Sequence, residues 1–171
     1  YCPTPTNPEK PMMFVRIQPT TQSTPRLRSS GLIPVNPAFI PVVMTLAGND
    51  PSGGAGLCAD IETLVSLGCH PAPVVTALTV QDTHNVKALL PVASKLVLAQ
   101  ANAVLNDMPV AAFKIGVIGS AENAAALHTL LTAHPRIPVV LDPVLTAGGG
   151  TELANKGLLE AVLFFNDTAT T

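Results

Sequence analysis

Charge is scarce in this chain. Only 12% of its 171 residues are Asp, Glu, Lys or Arg, and nine basic against eleven acidic residues leave a formal net charge of -2. The basic residues are scattered, so no patch or stripe exists to neutralise nucleic-acid phosphates, and a nucleic-acid partner is excluded from the expectations. Cysteine is scarcer still. Cys2, Cys58 and Cys69 are odd in number and lack CxxC spacing, which provides neither a disulfide framework nor a zinc site and fits a reducing, cytoplasmic setting. The four histidines, His70, His84, His128 and His134, are equally dispersed, with no HExxH pair, so no protein-bound transition metal is expected. A long apolar run is also missing. The stretch from Ala38 to Ala47 is interrupted by Pro41 and falls well short of the ~20 residues that cross a bilayer, so neither export nor membrane insertion is expected.

What the chain does have is apolar material: 47% of its residues, enough for one sizeable core. Residues 1–41 stand apart. They are rich in Pro, Thr and Ser, show no periodicity and begin with Tyr1, so they read as a disordered or non-native extension without chemistry. From Val42 onward, short apolar runs alternate with amphipathic stretches, the βαβ pattern of a parallel sheet covered by helices. Buried strands are expected at Val42–Ala47, Val74–Val80, Ala112–Ile115 and Pro138–Leu141. Leu57, Ile61 and Leu64 define one face of a helix from Ala55 to Leu67, with Gly68 placed for a left-handed cap. Ser94 is expected to cap a second helix bearing Val97, Ala101 and Val104. Ser120 is expected to cap a third, with Glu122 in its first turn and Leu127, Leu130 and Leu131 facing the sheet.

The segment with most chemical content is the glycine-rich turn Ala47-Gly48-Asn49-Asp50-Pro51-Ser52-Gly53-Gly54-Ala55-Gly56, set between a buried strand and a helix. Ligands of open α/β sheets sit at such strand ends, where glycines allow close approach and a helix N-terminus favours anions. It is neither a GxxxxGK[ST] nor a GxGxxG loop, and a purely structural turn is the bland alternative. Asp50 weighs against that alternative, because a carboxylate at the turn can accept hydrogen bonds from a polar ligand.

Four blocks in order then carry a family resemblance: Thr45 to Gly56 with Ala59-Asp60; Val75-Thr76-Ala77-Leu78-Thr79-Val80-Gln81-Asp82-Thr83; Lys114-Ile115-Gly116; and Val139-Val140-Leu141-Asp142-Pro143-Val144. From about Val42 to Leu163 the chain resembles the hydroxymethylpyrimidine/phosphomethylpyrimidine kinases of thiamin biosynthesis, with Asn49 standing where many members have Thr or His. The resemblance implies an α/β, ribokinase-like fold and transfer of the γ-phosphoryl group of ATP, with Mg²⁺, to a hydroxymethyl-aminopyrimidine and then to its monophosphate. It implies pyrimidine binding by Gly48, Asp50 and Gln81, whose amide offers a donor and an acceptor to the ring edge. Val117 and Val144 match apolar positions flanking the ring, although valine at either place could be plain core. Asp142 matches the acidic residue near the phosphates and Mg²⁺, a suitable hard oxygen ligand; its bland alternative is a turn cap. Lys114 approaches the site or forms an ion pair. A homodimer is implied for the full-length protein.

The family's anion hole, catalytic base and Asn-x-x-Glu segment find no match here. Gly148-Gly149-Gly150 instead matches the loop after Asp142-Pro143-Val144 in some relatives. The chain is therefore expected to carry the pyrimidine-binding part of a domain truncated on its C-terminal side, to contain no catalytic residue, to be inactive alone, and to end at 164–171 in a non-native tail. Two alternatives stay open: another ribokinase-like kinase, such as a pyridoxal kinase, and a non-catalytic α/β ligand-binding module.

Overall fold

A computed structural model describes residues 40–142 and 144. Residues 1–39, the glycine run 148–150 and the tail at 164–171 lie outside the described residues. Among the described residues, five strands and three helices follow in the order β1 (Val42–Asn49), α1 (Gly56–Ser66), β2 (His70–Gln81), β3 (Val86–Pro91), α2 (Ser94–Asp107), β4 (Val110–Ile115), α3 (Ala121–Ala133) and β5 (Val139–Leu141). They form one sheet in the order β3-β2-β1-β4-β5. β1 pairs in parallel with β2 and β4, and β4 with β5, as the apolar runs predict.

The sheet is not wholly parallel, and this corrects the sequence expectation. β3 folds back antiparallel on the end of β2, opposing Leu78 to Leu90 and Thr79 to Leu89. Its sequence hides it, because an edge strand that is mostly exposed has neither a continuous apolar run nor clean alternation. β2 also starts earlier than expected, at His70, through Pro71 and Pro73. Proline is tolerated there because β3 covers only Ala77 to Gln81, leaving the first half of β2 at the sheet edge.

The helices follow their stripes. Val97 and Ala101 of α2 and Leu127, Leu130 and Leu131 of α3 pack with Met44, Leu46, Val74, Phe113 and Ile115 in one buried cluster. Gly68 ends α1 with φ +74, and its N–H donates to the Val65 carbonyl at 3.0 Å. Ser120 caps α3, its Oγ accepting from Asn123 N at 3.1 Å. The Glu122 carboxyl in that first turn is pulled below its usual range by its own backbone N–H and then by the Ser120 hydroxyl. Ser94 is not a cap: Ala93 occupies that position without a side-chain bond, and Ser94 is already the first helical residue.

Candidate functional site

A cavity of about 390 Å³ opens at the carboxyl ends of β1, β2, β4 and β5, within the size range of small-molecule sites, about 300–1,000 Å³. Gly48, Asp50, Gln81, Val117, Asp142 and Val144 all line it, so the structure brings together every site residue proposed from sequence. The wall is completed by Asn49, Asp60, Thr79, Val86, Leu89 and Lys114, among others.

The β1 side of the cavity is built by short-range contacts. Asp50 is only 4% exposed, and its Oδ1 accepts from both the backbone N and the Oγ of Ser52 at 2.7 Å. This closes an Asx-type turn and leaves Oδ2 without a protein donor among the described residues. Gly53 N donates back to the Asp50 carbonyl at 3.1 Å. At Gly56 the backbone has φ +58, and a Cβ would stand 2.3 Å from the Gly48 carbonyl oxygen. The helix can therefore begin this close to β1 only with glycine at that position. Gly48 itself is less constrained: a Cβ there would meet Val117 at an ordinary 3.5 Å, taking up cavity space without a clash.

Charge sits at the floor. Lys114 Nζ lies 2.9 Å and 3.1 Å from the two carboxylate oxygens of Asp60, and Thr45 Oγ1 donates to the second of them. Asp142 Oδ2 is 3.9 Å from the same ammonium, so one cation faces two carboxylates. Lys114 thus both reaches the cavity and forms an ion pair, which joins the two sequence readings of it. The Asp142 side chain is 47% exposed and makes no capping bond among the described residues. It is available as a single oxygen ligand, and Mg²⁺ commonly takes only one or two carboxylates from protein. No group of three or more His, Cys, Asp or Glu gathers among the described residues, so an all-protein metal cage is not formed there.

The β2 side joins two polar residues to an apolar strand. The Gln81 amide lines the cavity without a hydrogen-bond partner among the described residues. Thr79 Oγ1 donates to the Asn49 carbonyl at 2.8 Å, tying β2 to β1, and Leu89 and Val86 of β3 add apolar surface. Thr79 and Asp60 stand in the family blocks but, like these β3 residues, were not expected as site residues. Asp60 had a usable signal, because Leu57, Ile61 and Leu64 fix the buried face of α1 and Asp60 sits beside it.

The pattern of phosphomethylpyrimidine kinases matches residues 50–166. Among curated proteins, the chain is 38% identical over 120 residues to the hydroxymethylpyrimidine/phosphomethylpyrimidine kinase of Haemophilus influenzae, covering 70% of this chain and 45% of that protein. It is 41% identical over 120 residues to the thiamine biosynthesis bifunctional protein ThiED of Geobacter sulfurreducens, covering 70% of this chain and 24% of that one. The chain thus spans less than half the length of these curated relatives. Among solved structures, the phosphomethylpyrimidine kinase of Clostridium difficile superposes with a TM-score of 0.66 at 33% identity, over 73% of this chain and 54% of that one. The pyridoxal kinase of Staphylococcus aureus, in complex with AMP-PCP and pyridoxal, superposes at 0.61 and 26% identity, over 74% of this chain and 44% of that one.

Proposed function

The chain belongs to the phosphomethylpyrimidine kinase family, and from that premise we propose that its cavity is the pyrimidine side of an ATP-dependent hydroxymethylpyrimidine/phosphomethylpyrimidine kinase. The observation that carries this reading is the Gln81 amide, without a hydrogen-bond partner among the described residues, set beside Val86 and Leu89 on the cavity wall. An aminopyrimidine is flat and apolar on its faces, with alternating donors and acceptors on its edge. Val117, Val144 and Leu89 suit the faces, Gln81 suits the edge, and Asp50 Oδ2 is an acceptor still open to a ring amino or hydroxymethyl group. Gly48, lacking a side chain, leaves the ring its space.

When bound, ATP supplies the phosphoryl group and Mg²⁺ offsets its charge, and Asp142 is the residue here suited to hold that ion. Lys114 holds Asp142 and Asp60 at the floor as fixed charges. Pyridoxal is the less favoured substrate, since the curated relatives are named as pyrimidine enzymes and the pyridoxal kinases resemble the chain as folds at lower identity. The same reading carries a cytoplasmic location and a homodimeric full-length assembly, testable by fractionation and by sedimentation. Among the described residues no helix is long and apolar enough to cross a membrane.

Calorimetric titration tests the assignment. In the full-length enzyme, Gln81→Ala should weaken hydroxymethylpyrimidine binding by roughly ten- to a hundredfold, the cost of leaving polar atoms of a buried ring edge unpaired. Affinity for a non-hydrolysable ATP analogue should stay nearly unchanged, and Gln81→Glu should be milder. Equal losses for both ligands, or no loss for the pyrimidine, would remove Gln81 from the site.

A further inference from the structure

Behind the cavity, out of reach of any ligand in it, lies a buried polar knot that the site does not account for. Asn123 of α3 is fully buried. Its Nδ2 stands 3.1 Å from three backbone carbonyls: Thr76 on β2, Val92 just after β3, and Ile118 in the loop between β4 and α3. Its Oδ1 is buried with no partner among the described residues. A flipped amide would set Oδ1 against three carbonyl oxygens, so the network dictates this orientation. A second bond parallels the first. Thr76, also fully buried, donates its hydroxyl to the carbonyl of Val117.

The place is informative. The β1–β2 register shifts here, with Ala47 opposite Val75 but Gly48 opposite Ala77, so Thr76 is the extra residue of a bulge and ladder pairing is locally broken. The loop after β4 presses on the same spot: Gly119 has φ +91, and a Cβ there would lie 3.2 Å from both the Thr76 carbonyl oxygen and the Ala77 Cβ. Downstream of the bulge, β2 delivers Thr79 and Gln81 to the cavity, and the clamped loop delivers Val117. An apolar residue at 123 would remove the unpaired oxygen but would also take this donor from the three carbonyls. What asparagine adds is a donor group that holds β2, the β3–α2 junction and the Val117 loop at fixed spacing.

We infer that Asn123, assisted by Thr76, is a positioning residue for the pyrimidine cavity: it sets the distance between Val117 on one side and Gln81 on the other, and so the thickness and edge alignment of the ring the cavity accepts. The inference rests on the pyrimidine reading above. Its consequence is selectivity, because a wall held by a buried latch cannot spread to admit a bulkier ring, whereas a loosened wall can.

The test uses Thr76→Val, which removes one hydroxyl at nearly constant volume, and Asn123→Ala, which removes the latch. Two readouts are taken on the full-length protein: the NMR signals of the Val117 methyls without ligand, and the ratio of affinities for hydroxymethylpyrimidine and the bulkier pyridoxal. Both variants should shift the Val117 methyls and lower that ratio, by about tenfold for Asn123→Ala, with affinity for an ATP analogue unchanged. If Asn123→Ala does not fold, Thr76→Val carries the test alone. A lower melting temperature with unmoved Val117 methyls and an unchanged ratio overturns the inference, since that is the signature of a merely structural bond. A full-length parent that binds no pyrimidine overturns the reading beneath it and takes the inference with it; the ligand-free methyl signals keep the two failures apart.

Discussion

The two sides of the cavity are held in different ways. On the β1 side, Asp50, Ser52, Gly53 and Gly56 fix one another within a few residues of chain, through an Asx turn and a left-handed glycine. The rest of the cavity is held at long range: Val117, after β4, is tied to Thr76 of β2, 41 residues away, and Thr76 to Asn123, 47 residues away. The first wall is complete once its loop is written in sequence. The second exists only when three distant segments have already packed. On the proposed reading, the difference teaches where specificity is stored: local turns fix the position of a ligand's polar end, and long-range packing fixes the width of the slot.

The sharpest way to break the local wall is Gly56→Ala. A Cβ 2.3 Å from the Gly48 carbonyl cannot be relieved by a rotamer change, and the positive φ adds strain of its own. Stability should fall by about 3 kcal/mol or more in urea unfolding, because the start of α1 and the end of β1 must separate. A loss below about 1 kcal/mol would mean that the loop adapts and that its local contacts do not set the wall.

The charged floor joins the two sides and ranks next. Removing one partner of a buried ion pair costs about 3–5 kcal/mol, while exposed pairs are worth at most about 1 kcal/mol. Lys114 and Asp60 are 22% and 14% exposed, between these limits, so Asp60→Ala should cost about 2 kcal/mol. Lys114→Met combined with Asp60→Ala should cost less than the sum of the two single changes. A double-mutant cycle by urea unfolding measures the coupling, and strict additivity would show that Asp142 or water replaces Asp60 without cost.

The same contrast explains what could be read in advance. The glycine loop, the four parallel strands, the helical stripes and the caps at Gly68 and Ser120 rest on local rules, and the sequence states them. The family resemblance points to Asp50, Gln81, Val117, Asp142 and Val144 as one site, and all five line the cavity, although their binding roles stand on the proposal above. β3 was not legible, because a short edge strand with Lys87 at its second position and Pro91 at its end carries no period. Ser94 misled because a serine before an apolar stripe has the composition of a cap, while the chain enters the helix one residue earlier. Asn123 could not be found at all. Three residues after a capping serine it reads as ordinary first-turn polarity, and only the bulge at Thr76 gives its amide something to hold.

A third region sharpens the comparison, because it is wholly local yet lies outside the walls. The turn between β2 and β3 is organised by Asp82, whose Oδ2 lies 2.9 Å from Lys87 Nζ and whose Oδ1 accepts from the backbone N–H groups of His84 at 2.9 Å and Asn85 at 3.0 Å. Lys87 first, then these two N–H groups, hold the Asp82 carboxyl well below its ordinary 3.8. A carboxyl whose folded pKa is depressed contributes stability that is present above its unfolded pKa and is lost as pH falls toward the folded one. The contribution should therefore be intact at neutral pH and decline below about pH 4, the ordinary Asp value. The carboxylate is solvent-exposed and screened, so this should be the smallest of the effects. Urea midpoints for the parent and Asp82→Asn should differ at pH 7 and converge as pH drops below that point, with pyrimidine affinity equal in both at neutral pH. A gap that widens on acidification would reverse the assigned sign, and a loss of pyrimidine affinity would place this turn among the elements that set the cavity wall.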